Sequence, residues 1–289
     1  MREVSPFDVE VRLTALYVHP IKSCGGIAAN DALLIETGLE FDRAWMVVDA
    51  HGRFVTQRQL PRMALIQPTL KALAMVLRAP GMLAWSVPLG EVGAAVRVTV
   101  WNDEVAAHDM GDAAAQWFND FLGQPLRLVR FDPAHKRLAS AQWTGEIEAG
   151  AAFSDEYPLL VTSQASLDEL NRRIAANSDA PVTMQRFRPN KVLDGLDAHG
   201  EVHLDEVHFD TPDGPVRLKL VKLCSRCGIP DVDPLTAETG HAVGDALAGY
   251  RADARLNGAL TFGMNAVIVE GFDRTLRPGL VGGATYRFD

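Results

Sequence analysis

Residues 216–227, VRLKLVKLCSRC, decide how this chain is read. Val216, Leu218 and Leu220 alternate with Arg217 and Lys219, the two-residue period of a strand with one buried face. Gly228, Pro230 and Pro234 then stop any regular element. Outward from here the short-strand signature recurs. VEVRLTALYV alternates polar and apolar residues from Val9 to Val18, and RAWMVVD (Arg43–Asp49), the turn Asp49–Gly52 and RFVTQ predict a hairpin. LAMVLRA, VRVTVW and RLVRF add strands to the first half, and PLLVTS, NKVLD, VHFD, AVIVE and RPGLVGGATYRF add them to the second. Helices are few. DAAAQWFNDFL (Asp112–Leu122) is closed by Gly123 and Pro125, and SLDELNRRIAAN has Ser166 three residues before Glu169 in capping-box spacing. Such a pattern predicts a mostly β (α+β) fold built around a barrel. Residues 132–154 lack periodicity and set the expected boundary between a smaller β-rich domain, 1–135, and a second domain, 136–289.

Composition narrows the function. Thirty-seven acidic against 28 basic side chains give a net charge of −9. Nucleic acid and anionic lipid are therefore disfavoured partners, since neutralising phosphate drives both kinds of binding. The longest uncharged stretch, Leu256–Val269, has 14 residues, short of the roughly 20 needed to span a bilayer. The N-terminus carries Arg2, Glu3, Asp8, Glu10 and Arg12 and does not read as a signal peptide. With three cysteines, an odd number, the expectation is a cytoplasmic monomer in a reducing compartment.

The densest chemistry is Cys224-Ser225-Arg226-Cys227 at the strand end. A redox C-x-x-C should open a helix, which the glycine and prolines forbid. A structural zinc site needs a second ligand pair; Cys24 stands alone, and His199, His203 and His208 lie on or beside EVHLDEVHF. Plain core cysteines are the third reading, weakened by the intervening Ser-Arg. A second signal is basic. Lys22 and Ser23 precede Gly25-Gly26 in HPIKSCGG, Arg43 sits in FDRAW, Arg58 and Arg62 in TQRQLPR, and Arg186, Arg188 and Lys191 flank Asn190 in MQRFRPNKV. Cations and free backbone N–H groups at turns suit a phosphate or another dianion.

Five ordered segments, HPIKSCGG, FDRAWMVVD…FVTQRQLPRMALI, AAFSDEYPLLVTSQASLDELN, RFRPNKVLDG and CSRCGIPDVDPLTAETG, together resemble a MOSC-domain protein with a MOSC N-terminal β-barrel domain, similar to the amidoxime-reducing components. The resemblance runs from about Leu13 to the C-terminus. It implies a molybdenum cofactor, a phosphorylated pyranopterin dithiolene, whose metal takes a protein thiolate. That thiolate is carried over to Cys227, with no ligand role for Cys224. Lys22, Ser23, Arg43, Arg188, Asn190, Ser225 and Arg226 match cofactor-contacting positions, and Asp155 matches the aspartate of S-D-x-x-P. Glu156 and Tyr157 replace small hydroxyl residues after it, and Asn265, in Phe262-Gly263-Met264-Asn265, stands where F-G-x-Y has tyrosine.

The activity implied is reduction of small N-hydroxylated or N-oxide substrates. The sequence has no C-x₄-C-x₂-C segment and no strand followed by G-x-G-x-x-G, so electrons are expected from a separate flavin, haem or iron–sulfur protein. Asp231 and His241 are candidate proton donors only by their nearness in sequence. The alternatives are a sulfur-carrier or molybdenum-cofactor-binding module using Cys227 as thiolate or persulfide, where sulfur carriage would need the thiolate but not the arginines, and a cofactor-storage or structural protein with a degenerate site.

Overall fold

Seven strands close into a barrel around the largest apolar cluster of the protein. The structure is a computed structural model that describes residues 6–288; the start of the charged N-terminal segment lies outside them. In chain order the first strands are β1 (Val9–Val18), β2 (Ile27–Ala29), β3 (Ala32–Ile35), β4 (Gly38–Leu39), β5 (Trp45–Val48), β6 (Gln67–Leu70), β7 (Ala74–Arg78), β8 (Trp85–Pro88), β9 (Ala95–Val100) and β10 (Asp103–Asp109). Helix α1 (Asp112–Leu122), β11 (Arg127–Phe131), the single turn α2 (Ala141–Thr144), β12 (Leu159–Ser163), α3 (Gln164–Ala176) and β13 (Lys191–Asp194) follow. The chain closes with β14 (Leu204–Thr211), β15 (Gly214–Ser225), α4 (Ala242–Ala248), β16 (Ala252–Asp253), β17 (Ala259–Glu270), β18 (Thr275–Leu276) and β19 (Val281–Tyr286).

The barrel order is β12-β13-β1-β19-β14-β15-β17, and β17 pairs back onto β12. An odd ring cannot be antiparallel throughout, so one neighbouring pair must run parallel. That pair is β12–β13, joined through α3 as a parallel connection requires. The first strand thus belongs to the barrel. The chain then leaves it for the sheet β5-β11-β10-β9 and the small sheet β6-β7-β8, and returns at β12. A separate core of Trp45, Trp117, Phe118 and Phe121 holds α1 and these sheets together.

The structure corrects two sequence readings. Strict alternation over Val9–Val18 fails at a bulge between Leu13 and Ala15, which moves the inward set from Val11 and Leu13 to Leu16 and Val18. Ala15 and Tyr17 consequently face outward onto the α3–α4 cluster. The cap of α3 is Ser163 rather than Ser166. The extended backbone at the end of β12 lets Ser163 Oγ accept from Ser166 N at 3.2 Å, so the helix starts at Gln164. Ser166 instead turns its hydroxyl to buried Glu201, and Glu169 pairs with Arg172 and Arg173. The predicted hairpin after β5 is present, with Val48 opposite Phe54 and Val55 N donating to Val47 O. Val216, Leu218 and Leu220 of β15 do share the inner face, until a bulge at Leu220/Lys222 turns Leu223 inward.

Candidate cofactor site

At one rim of the barrel, where β12 and β13 begin, β15 ends and β17 passes, the strands meet the turn after β1. Irregular backbone gathers here because bulges and turns free the strand ends from the ladder. The twelve residues that the resemblance assigns to the cofactor and metal (Lys22, Ser23, Arg43, Asp155, Glu156, Tyr157, Arg188, Asn190, Ser225, Arg226, Cys227 and Asn265) line one cleft of about 790 Å³, whereas Lys191, also named from the sequence, is not among its lining residues. The turn at 19–25 is clamped onto the start of β5 by Lys22 N to Trp45 O, Trp45 N to Pro20 O and Arg43 N to His19 O. Ser23, Arg43 and Arg188 have φ of +66°, +48° and +56°. A non-glycine residue in the left-handed region costs about 1–2 kcal/mol. Such strain collects where side-chain placement matters more than backbone comfort.

Each cation is held by a defined set of partners. The buried Lys22 ammonium donates to Asp155 Oδ1 at 2.6 Å and to Phe153 O at 2.7 Å. Burial lowers the Lys22 pKa against the pull of Asp155. For Asp155 burial works against ionisation, but Lys22, the Trp101 N–H at 3.2 Å and Arg43 outweigh it and hold the carboxyl well below its usual range. Arg43 donates to Asp42 Oδ2 (2.5 Å), Asn190 Oδ1 (3.2 Å) and Arg188 O (2.9 Å). Asn190 Oδ1 also accepts from Leu160 N, and its amide donates to Tyr17 O. Asn190 is therefore the stitch between β1, β12 and Arg43. Arg188 donates to Cys24 O, and burial, with Arg43 nearby, brings its pKa down to about 10. Burial and the same two guanidinium groups push His19 well below its normal value, which makes it a neutral ring beside the site.

The opposite wall carries sulfur. Cys227 is exposed, Cys224 is half-buried, and Arg226 Nη1 lies 3.0 Å from Cys224 Sγ while Nη2 donates to Phe187 O. Cys24 is buried, and burial drives its thiol up to about 12, so it is inert packing.

Four lining groups keep a buried donor with no partner among the described residues: Arg188 Nη2, Arg226 Nε, Ser154 Oγ and Tyr157 OH. Burial, and the Glu156 carboxylate beside it, raise the Tyr157 phenol, which keeps its proton to donate. Leaving a buried donor unmade costs about 1–3 kcal/mol, more for a charged one. Lining cations Lys22, Arg43, Arg58, Arg188 and Arg226 face only Asp155 and Glu156, a local positive field in an acidic protein. Unfilled donors of this kind fit an anionic, oxygen-rich group such as a phosphorylated pterin.

Within this family two domain descriptions cover nearly the whole chain. The MOSC N-terminal beta barrel domain matches residues 10–125, and the MOSC domain matches residues 148–281. Human mitochondrial amidoxime-reducing component 1 is 36% identical over 76% of this chain and 66% of its own length. Human mitochondrial amidoxime reducing component 2 is 33% identical over 82% of this chain and 71% of its own length. The chain belongs to the MOSC-domain amidoxime-reducing-component family. It spans about two thirds of the length of these relatives, and bovine molybdenum cofactor sulfurase is 29% identical over 83% of the chain but only 29% of that protein.

Measured against this family, the substituted positions find local uses. Glu156, on the cleft lining, pairs with Lys222 at 2.5 Å. Asn265 lies in register with Leu160 on one side and Lys222 on the other, on the cleft wall. The two proton-donor candidates fall outside the cleft. Asp231 accepts from Val243 N and Gly244 N at the start of α4, and His241 is exposed and paired with Asp245. Arg62 lies over Phe121 and Arg186 pairs with Asp233, so neither adds to the cation cluster. Sequence reasoning missed Thr56, Ser154 and Phe187 as lining residues, and Arg137 as a support. Buried Arg137 donates to Ala152 O, Ser154 O and Asp155 O and so shapes the loop carrying Asp155. Nothing in its neighbourhood, HKRLAS, marks it.

Proposed function

We propose that this protein is a molybdenum-cofactor-dependent reductase of small N-hydroxylated or N-oxide compounds that takes electrons from a separate redox protein. The observation that carries this reading is one cleft whose lining combines buried donors that have no partner among the described residues with the exposed Cys227. Lys22, Ser23, Arg43, Arg188, Ser225 and Arg226 would hold the cofactor's phosphate and pterin, and Asp155, Glu156, Tyr157, Asn190 and Asn265 would line it. Cys227 would give the metal a soft anionic sulfur. When bound, the cofactor supplies the two-electron redox chemistry, and the net reaction takes N–OH, two electrons and two protons to N–H and water.

The chain's own residues bind and orient. Asp155 neutralises the Lys22 ammonium, and Asn190 fixes the fork of Arg43. Arg226 is pinned by Phe187 O, which sets the backbone leading into Cys227. A persulfide carrier would use Cys227 alone and leave the guanidinium cluster without work. The redox partner, the substrate range and a cytoplasmic location are parts of the same proposal; among the described residues no helix is long and apolar enough to cross a membrane.

The test uses protein purified from a host that makes molybdopterin, with an artificial electron donor. Wild type is expected to reduce an amidoxime and Cys227→Ser to lose that activity. A Cys227→Ser protein as active as wild type would remove Cys227 from its assigned role.

A further inference from the structure

A second, larger cleft of about 1680 Å³ opens beside the first and shares Arg226, Cys227 and Asn265 with it. Its walls carry two tryptophans from different parts of the chain. Trp101 sits at the tip of the β9–β10 hairpin, and Trp143 sits on the short turn α2. The hairpin tip is a two-residue connection, where asparagine or glycine is favoured because positive φ is required. Trp101 occupies it with φ +55°, a conformation a bulky residue seldom adopts. The residue is 44% exposed.

What the unfavourable position achieves is placement. The indole N–H donates to Asp155 Oδ1, and the ring packs edge-on to Phe54 at 5.1 Å, with the Arg58 guanidinium 4.9 Å from its centre. Trp143 is backed by the Lys222 ammonium at 5.6 Å. Most charges of this cleft are spent on each other, which leaves the Arg58 and Arg226 guanidinium groups without a carboxylate partner among the described residues. Arg137 pairs with Asp103 at 2.8 Å, Lys222 with Glu156 at 2.5 Å, and Asp155 with Lys22. A space with aromatic walls and mostly paired charges recognises flat, apolar surface, and its two remaining guanidinium groups disfavour a cationic body.

We infer that Trp101 and Trp143 are specificity-determining residues that receive the flat, uncharged aromatic body of a substrate and present its N–O group toward Cys227. The inference rests on the reductase reading above and deepens it. Trp101 also ties this vestibule to the Lys22–Asp155 pair of the cofactor cleft through a single hydrogen bond.

The experiment compares an aromatic amidoxime with a small aliphatic one on the cofactor-loaded protein, by steady-state kinetics and by quenching of tryptophan fluorescence. Trp143→Ala is expected to lower kcat/KM for the aromatic compound about tenfold through KM and to move the aliphatic one less than about twofold, whereas Trp101→Ala, which also removes the donor to Asp155, is read by its aromatic-to-aliphatic ratio, expected to fall by a similar factor. Trp101→Phe keeps the aromatic wall without the N–H and should retain most of the discrimination. Molybdenum content of Trp143→Ala should equal wild type, which separates substrate reception from cofactor retention. An unchanged aromatic-to-aliphatic ratio in both alanine variants overturns the inference while leaving the reductase reading intact. If wild type reduces neither compound, the reductase reading fails, and the quenching titration decides the vestibule. Saturable binding of the aromatic amidoxime that weakens about tenfold in Trp143→Ala supports it, and no binding, or binding indifferent to both tryptophans, rejects it.

Discussion

Removing the Arg43 side chain tests how the cation cluster is built. Arg43 is the ion partner of Asp42, whose side chain is 1% exposed, and the Arg43 side chain is itself only 13% exposed. Asp42 Oδ1 is taken by His19 N at 2.7 Å, so Oδ2 depends on Arg43. Breaking a buried pair from one side costs about 3–5 kcal/mol, chiefly because a charge is left without compensation. Arg43→Ala also frees Arg188 O and one acceptor position of Asn190, so the loss should sit at or above that range. Against a typical total of about 5–15 kcal/mol such a loss is large. The double variant Arg43→Ala/Asp42→Asn removes the stranded charge yet keeps an oxygen for His19 N. It is expected to regain about 1–3 kcal/mol relative to Arg43→Ala. Urea unfolding of wild type, both single variants and the double variant reads this directly. Neither protein lacking Arg43 should retain the cofactor, so stability and cofactor content part company in the double variant. A loss below about 1 kcal/mol for Arg43→Ala, or no recovery in the double variant, refutes the reasoning.

Two buried titratable groups give opposite pH signatures. Lys191 is fully buried, its amine has no partner among the described residues, and burial brings its pKa down to about 7. Its folded value lies below the unfolded one, so the ammonium opposes folding fully below about pH 7 and ceases to do so near pH 10. Lys191→Met should therefore stabilise by about 1–4 kcal/mol at pH 6, and the gain should shrink toward pH 10 in urea titrations. Glu201, fully buried, makes short contacts with Ser163 Oγ and Ser166 Oγ, which are themselves 2.6 Å apart. Three such contacts need three protons and the two hydroxyls supply two, so a protonated carboxyl completes the set. Burial raises its pKa against the pull of those hydroxyls and of Arg251. This stabilisation is complete below the ordinary carboxyl pKa and is lost as pH rises toward the raised folded value, at about 1.4 kcal/mol per pH unit. Subtracting the pH profile of Glu201→Gln should isolate that descent; parallel profiles would show that the carboxyl is ionised.

The candidate site was more legible in the sequence than the fold. Lys22 and Arg188 stand at turns beside Pro, Gly and Asn, and turn chemistry is a local signal that survives without knowledge of partners. The strand pattern was also local, but its faults were not. The bulge at Leu13/Ala15 exists because β1 must serve both the barrel interior and the α3–α4 cluster, a demand set by neighbours nearly two hundred residues away. The cap at Ser163 depended on where β12 ends rather than on the capping-box spacing. Arg137 and Trp101 were invisible for the same reason, since what each does is defined by Asp155, reached only through the tertiary fold. Asp231 and His241 show the converse error, in which nearness in sequence to Cys227 did not become a place in the cofactor cleft.

On the proposed function, the cations and Cys227 that line one cleft hold a molybdenum-bearing pterin. Molybdenum and pterin content of the wild-type chain, purified from a host that makes molybdopterin, measures this with no assumption about substrate. Molybdenum and pterin both equimolar with the chain, and lost together in Arg188→Leu, is the predicted result. A well-folded wild-type protein that carries neither would contradict it.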